Sequence, residues 1–192
     1  MVNANSQKAL FASVCGKKTE TDFTGGRISS DGGSLLLRQV DRKIGLTDSL
    51  AEVISDCRDQ SRIQHSLRDL LPQRIYGLAL GYEDLNDHDS LRHDPGLQTS
   101  VSRDPGEKEA LGSSPTLCRL ENGIDKKTLW KLSEVMVDTF IESYDSPPKK
   151  LILDFDATDD PLHGKQEGHF FHGYYDHYCY LPLYVFCGEN LL

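Results

Sequence analysis

At 192 residues the chain is sized for one domain, or for one domain and a fraction of another. Its 38% hydrophobic and 27% charged residues exclude a disordered or membrane-embedded protein; with no apolar run of about 18 residues and no apolar leader in MVNANSQKAL, the sequence reads as cytoplasmic. A net charge of −9 excludes a protein that coats nucleic acid by bulk charge, and five cysteines (Cys15, Cys57, Cys118, Cys179, Cys187) without a C-x-x-C pair exclude a disulfide framework and a zinc knuckle.

In chain order, the opening 33 residues carry TDFTGGRISSDGGS, whose two Gly-Gly pairs predict an irregular or short-stranded entry. From Leu35 to Ile44, apolar residues at Leu36, Leu37, Val40 and Ile44 predict a helix with Ser34 as its cap and Gly45 as its stop. A second helix follows Thr47, with Leu50, Val53 and Ile54 on one face, and a third runs from Ile63 to about Leu80. Pro72 should kink that helix or begin a new one. Residues 81–116, with two Asp-Pro-Gly turns, predict short helices joined by turns. Ser114-Pro115 opens a helix that Asn122-Gly123 closes. Asp125 opens the clearest helix, with Leu129, Leu132, Val135, Met136, Phe140 and Ile141 as its buried face and Ser146-Pro147-Pro148 as its end.

After Lys150 the hydrophobic period changes. LILDFD predicts a buried strand that delivers carboxylates to its tip, and the segments HFFHGYYDHYCY and LPLYVFCG predict an antiparallel pair with Pro182 near a strand end. Residues 1–149 therefore read as a mainly helical region and residues 150–192 as the opening of a strand-rich domain, an α+β or α/β arrangement. Three strands with no helix after them read as an interrupted fold.

Acidity concentrates in the same segment: residues 151–192 hold Lys165 alone against Asp154, Asp156, Asp159, Asp160, Glu167, Asp176 and Glu189. On a strand, residues two apart share a face, so Asp154 and Asp156 point together, and paired carboxylates at a strand tip are hard oxygen ligands suited to Mg²⁺. A solvated acidic loop or an Asx-type turn accounts for the same residues without a ligand. His163, His169, His172 and His177 fit no compact zinc spacing and read as surface or strand-packing histidines. The aromatic residues between Phe170 and Phe186 read as sheet packing rather than as a base-stacking platform.

The segment LILDFDATDDPLHGKQEG, followed by GYYDHYCYLPLYVF, resembles the first core block of the group 1 DDE transposase domain of bacterial insertion sequences. DFTGGRISSDGGSLLLRQVDRKIGLTDSLA and SSPTLCRLEN are also similar to that family. The resemblance implies a ribonuclease-H-like core in which an Asp on the first strand, an Asp on a later strand and a Glu on a later helix hold two Mg²⁺ ions. It implies metal-dependent cleavage and transfer of double-stranded DNA at the terminal inverted repeats of an element, with a homodimer as a possible working form. By the D-(G/A)-T form of the family's block, Asp156 is carried over as the first catalytic, metal-holding carboxylate, with Asp154 structural or in the outer shell. Asp176 and Glu189 match neither later position, so the chain reads as the N-terminal portion of such an enzyme, inactive in strand transfer by itself; the alternative, of a different class, is a non-catalytic DNA-binding or dimer-forming remnant. A rival reading takes Asp154-x-Asp156-x-Thr158 as the opening of a haloacid-dehalogenase-like phosphatase, with Asp154 as phosphoryl acceptor and Asp156 as general acid/base.

DNA contact is expected from the helical region, where Arg58, Arg62, Arg68 and Arg74 recur and Arg119, Lys126, Lys127 and Lys131 form a second basic group. Asp56, Asp59 and Asp69 nearby also allow a mixed, solvated face, and the turn at Asn122-Gly123 is compatible with a helix-turn-helix.

Overall fold

The computed structural model describes residues 9–21, 29–105 and 109–192. Part of the Gly-rich entry, residues 22–28, lies outside the described residues. The chain separates into two compact units, one extending to Leu132 and one from Ser133 to Leu192.

The first unit opens with a hairpin, β1 (Ala9–Val14) and β2 (Lys17–Thr21). Its two turn residues, Cys15 and Gly16, both have positive φ, the geometry of a tight hairpin turn that follows the right-handed strand twist. Among the described residues seven α-helices follow: α1 (Ser34–Ile44), α2 (Leu46–Val53), α3 (Leu67–Ala79), α4 (His88–Leu91), α5 (Pro95–Ser100), α6 (Ser114–Asn122) and α7 (Lys126–Glu142), the last running into the second unit. Gly45, left-handed at φ 71°, closes α1 and starts α2, a conformation that costs glycine nothing. A capping box opens α3: the Ser66 side chain and the Asp69 carboxylate satisfy each other's orphan backbone groups. Pro72 sits inside α3 and the helix continues through it, without the break expected from its missing N–H.

The core of this unit is Tyr76, Leu91, Leu97, Val101 and Leu111, with Leu37, Ile75 and Tyr82 packed against it. Helix α1 confirms the predicted helix but only part of its face: of the four apolar residues expected inside, Leu37 packs against the core. Leu36, Val40 and Ile44 are exposed, Leu36 at 62%, whereas Ser34, Leu35 and Arg38 are buried. The cause is polar: Ser100 donates to the Ser34 hydroxyl at 2.7 Å, and Arg38 reaches the Ala12 carbonyl and the Ser102 hydroxyl. Buried polar groups need such partners, and this network holds Ser34 and Arg38 inward beside Leu35 and Leu37.

In the second unit the strands are β3 (Asp154–Ala157), β4 (Asp160–Pro161), β5 (Phe170–His172), β6 (His177–Tyr180), β7 (Leu183–Cys187) and β8 (Asn190–Leu191), in sheets ordered β3-β7-β8 and β4-β6-β5, all antiparallel. Register unites the two sheets. Asp154 faces Phe186, Ala157 faces Leu183 and Asp160 faces Tyr180, one step forward on one strand matching one step back on the other. Backbone bonds from Thr158 to Pro182 and from Leu162 to Tyr178 keep the same step. The chain thus forms one long antiparallel ladder, interrupted at Leu181-Pro182, where proline brings no N–H to the pairing. The short strands β5 and β8 lie along the far side of its central strand.

This arrangement revises two expectations. HFFHGYYDHYCY does not pair as a whole with LPLYVFCG: the first segment folds back on itself as the β5–β6 hairpin, and the second continues the line of β6 to pair with β3. LILDFD is not a buried strand either. Leu151, Ile152 and Leu153 precede β3 and are exposed, as is Phe155. The unit is an antiparallel arrangement following a helix, and its strands begin at Asp154 although the compact unit begins at Ser133.

Candidate functional site

Asp154 and Asp156 stand on β3 two residues apart, opposite Phe186 and Tyr184, and so share a face of the ladder. Their neighbours across the strand confirm the alternation, since the Tyr184 and Phe186 rings lie 6.4 Å apart on that face. Both aspartates are exposed, and among the described residues neither carboxylate is engaged in a hydrogen bond or ion pair. Phe186 and Tyr184 hold the backbone of β3 in place while its acidic side chains stay available. Two exposed carboxylates are hard oxygen donors of the kind Mg²⁺ takes, together with water and substrate phosphate.

Asp176 and Glu189 are brought to neither carboxylate's strand. Asp176 is the left-handed residue (φ 58°) of the turn joining β5 to β6, and Glu189 lies in the turn joining β7 to β8. Thr158 continues the ladder through its backbone bond to Pro182.

A second group lies just beyond Asp156. The Nε2 of His177 is 3.0 Å from both carboxylate oxygens of Asp159, and the Sγ of Cys179 joins them, all three ligand atoms lying within 4.8 Å of one another. Cys179 is fully buried. Burial, reinforced by the hydrogen bond to Asp159, pushes its thiol pKa up. The spacing of the four late histidines concealed this group, because only His177 among them takes part and its companions are an aspartate and a cysteine. The legible signal was the pair His177-x-Cys179, two residues that share a strand face.

The basic residues of the first unit divide by geometry. Arg74 is absorbed by structure: it pairs with Glu121 at 2.6 Å, donates to the carbonyls of Tyr82 and Glu83, and is only 13% exposed. Arg68 pairs with Asp48 and Glu52 on the surface. Arg58, Arg62 and Arg119 instead converge on a cavity of about 510 Å³ between the 54–67 segment and the α6–α7 turn, lined also by Cys57, Gln64, His65 and Thr116. Within it Arg58 is held in a two-point pair with Asp56, at 2.7 and 2.6 Å, and donates to the His65 carbonyl. That pairing holds the Asp56 carboxyl down at about 2. Arg62 reaches Asp59 at 3.4 Å, while Arg119 donates to the Thr116 hydroxyl and has no carboxylate partner among the described residues. Burial, with Arg103 nearby, depresses the pKa of His65, which is neutral at pH 7.

No helix among the described residues is long and apolar enough to cross a membrane. A family model described as transposase DDE domain group 1 matches residues 11–192. No curated protein and no solved structure matches the chain. The phosphatase reading drew on Asp154, Asp156 and Thr158 alone, whereas this match spans nearly the whole chain.

Proposed function

The chain belongs to the transposase DDE domain group 1 family, and from that premise we propose that it acts on the double-stranded ends of a mobile DNA element, with Asp156 as the first metal-holding carboxylate of a ribonuclease-H-like core. The observation that carries this reading is Asp156 itself, exposed on a strand of fixed register with its carboxylate unengaged. Mg²⁺ held in such a core would supply Lewis-acid chemistry, lowering the barrier to attack by a water or a 3′-hydroxyl on a phosphodiester. Asp156 would hold the cation directly, Asp154 on the same face would steady the ion's water shell, and the exposed edge of β3 leaves room for a phosphate to approach. Asp176 and Glu189, in their turns, are not partners in that site. One carboxylate does not hold two cations, so residues 1–192 by themselves bind element ends and do not cut them.

Binding has its own support in the arginine-lined cavity. Guanidinium groups recognise phosphate oxygens through paired N–H donors, and Arg119, without a carboxylate partner, is the donor best placed to accept a DNA phosphate. The polarity of the site suits backbone contact rather than base reading.

Mn²⁺ serves as the probe for Asp156, its binding to the full chain with element-end DNA followed by paramagnetic relaxation. Asp156→Asn is expected to abolish the bound signal and Asp154→Asn to weaken it; equal binding by wild type and Asp156→Asn overturns the assignment. In the same preparation, Mg²⁺ is expected to produce a gel-shifted but uncut complex. Nicking that disappears in Asp156→Asn would uphold the residue and refute the inactivity, and no shift even at low salt would refute the DNA partner.

A further inference from the structure

We propose that Asp159, His177 and Cys179 form a binding site for one zinc-class divalent cation that clamps the two long strands together immediately beyond Asp156. The inference stands apart from the reading of Asp156, because it rests on different donors. His177 and Cys179 are two residues apart on β6 and share a face, while Asp159 arrives from the opposing strand, so the donor set closes across the ladder rather than along one chain. Alternation along the unbroken register sends Asp159, three steps from Asp156, to the other face, which keeps the two sites separate.

Ligand type chooses the cation. Thiolate and imidazole favour Zn²⁺ and its transition-metal neighbours, whereas Mg²⁺ takes oxygen donors alone. With Zn–S about 2.3 Å and Zn–N or Zn–O about 2.0–2.1 Å, tetrahedral ligands stand roughly 3.3–3.8 Å apart. The three donor atoms, none more than 4.8 Å from another, reach that spacing with small side-chain adjustments. Three protein ligands leave the fourth position to water. A cysteine–histidine–aspartate hydrolase is the other chemistry these residue types suggest, and burial excludes it, since the fully buried Cys179 sulfur meets no substrate.

The clamp has a mechanical role. At Asp159, opposite Leu181, the ladder loses its regular pairing, and at Thr158 it keeps the single backbone bond to the Pro182 carbonyl. A cation joining Asp159 to β6 would restore a cross-strand tie where proline removes one, and would fix the direction in which β3 presents Asp156.

The test titrates Co²⁺ into the chelator-treated full chain. A thiolate-to-cobalt charge-transfer band saturating at one equivalent per chain, displaced by Zn²⁺ and indifferent to excess Mg²⁺, is expected. The band should persist in Cys15→Ser and Cys57→Ser, whose thiols are exposed. It should be lost in Cys179→Ser, and His177→Gln should weaken binding beyond the roughly 10–100-fold that outer-shell changes produce. His177 is partly exposed, so His177→Gln decides the matter if Cys179→Ser does not fold. Zn²⁺ should also raise the melting temperature of the wild type and not of His177→Gln. A folded chain without the band, or a band undiminished in His177→Gln, overturns the proposal.

Discussion

The two units spend their carboxylates differently. In the helical unit, aspartates are consumed by the fold: Asp41 accepts from the Thr47 amide and hydroxyl and from the Tyr76 hydroxyl, Asp31 accepts from Tyr82, and Asp94 accepts from Ser29 and caps α5. In the strand unit, Asp154 and Asp156 stay exposed and unengaged while large apolar side chains such as Ile152, Phe155 and Tyr174 also face solvent. A carboxylate with three hydrogen-bond donors is a structural part. One without any is available for a ligand, and that contrast separates the two units more sharply than charge density does.

Breaking the structural side of that contrast should have the largest effects. Gln73 is buried and bonds both the Gly112 amide and carbonyl, at 2.9 and 2.8 Å. Gln73→Ala leaves both groups buried and unpaired, and is expected to cost about 2–4 kcal/mol in urea unfolding. A loss under 1 kcal/mol would show that water replaces the amide. Asp41→Ala, removing the acceptor shared by Thr47 and Tyr76, should cost about 2–3 kcal/mol by the same measurement. Asp156→Asn should leave stability within about 0.5 kcal/mol, because it breaks no contact; a larger loss would make the residue structural and erase the distinction.

Smaller effects sharpen it further. Arg119→Ala should weaken element-end binding and lower the salt slope of log K by about 0.9 for one lost phosphate contact, whereas Arg74→Ala should instead destabilise the fold. The smallest effect is one of pH. Burial, then the nearby Arg74, depress the pKa of His88, so it folds neutral. Its contribution is complete above the ordinary histidine value of 6.5 and fades as pH falls through the lower folded value. Denaturant midpoints measured from pH 7 to pH 5 should therefore fall, and His88→Gln should flatten that decline.

Much of the helical order was legible in the sequence, since Gly45, Ser114-Pro115 and Asn122-Gly123 act through local backbone geometry. Which side of α1 faces inward was not. Apolar periodicity pointed at Leu36, Leu37, Val40 and Ile44, of which only Leu37 packs against the core; a buried serine and arginine turn the helix, and their partners 64 and 66 residues away leave no local trace. On α7 the same signal named six buried residues; Val135 and Phe140 are buried, whereas Leu129 and Ile141 are exposed. The pairing of Asp154 with Asp156 followed from strand alternation alone. The meeting of Asp159 with His177 and Cys179 depends on cross-strand register, which the turn-rich stretch between them hid.

Among the described residues strand β3 pairs on one side only, with β7, so its outer edge offers unpaired backbone groups to any passing strand. Negative side chains along such an edge repel a second copy and guard against sheet-to-sheet stacking. Asp154 and Asp156, with Asp160 further along the ladder, supply that guard here. Under the proposed reading, a cation held at Asp156 would partly discharge that guard, and metal loading would then also lower the edge's resistance to self-association.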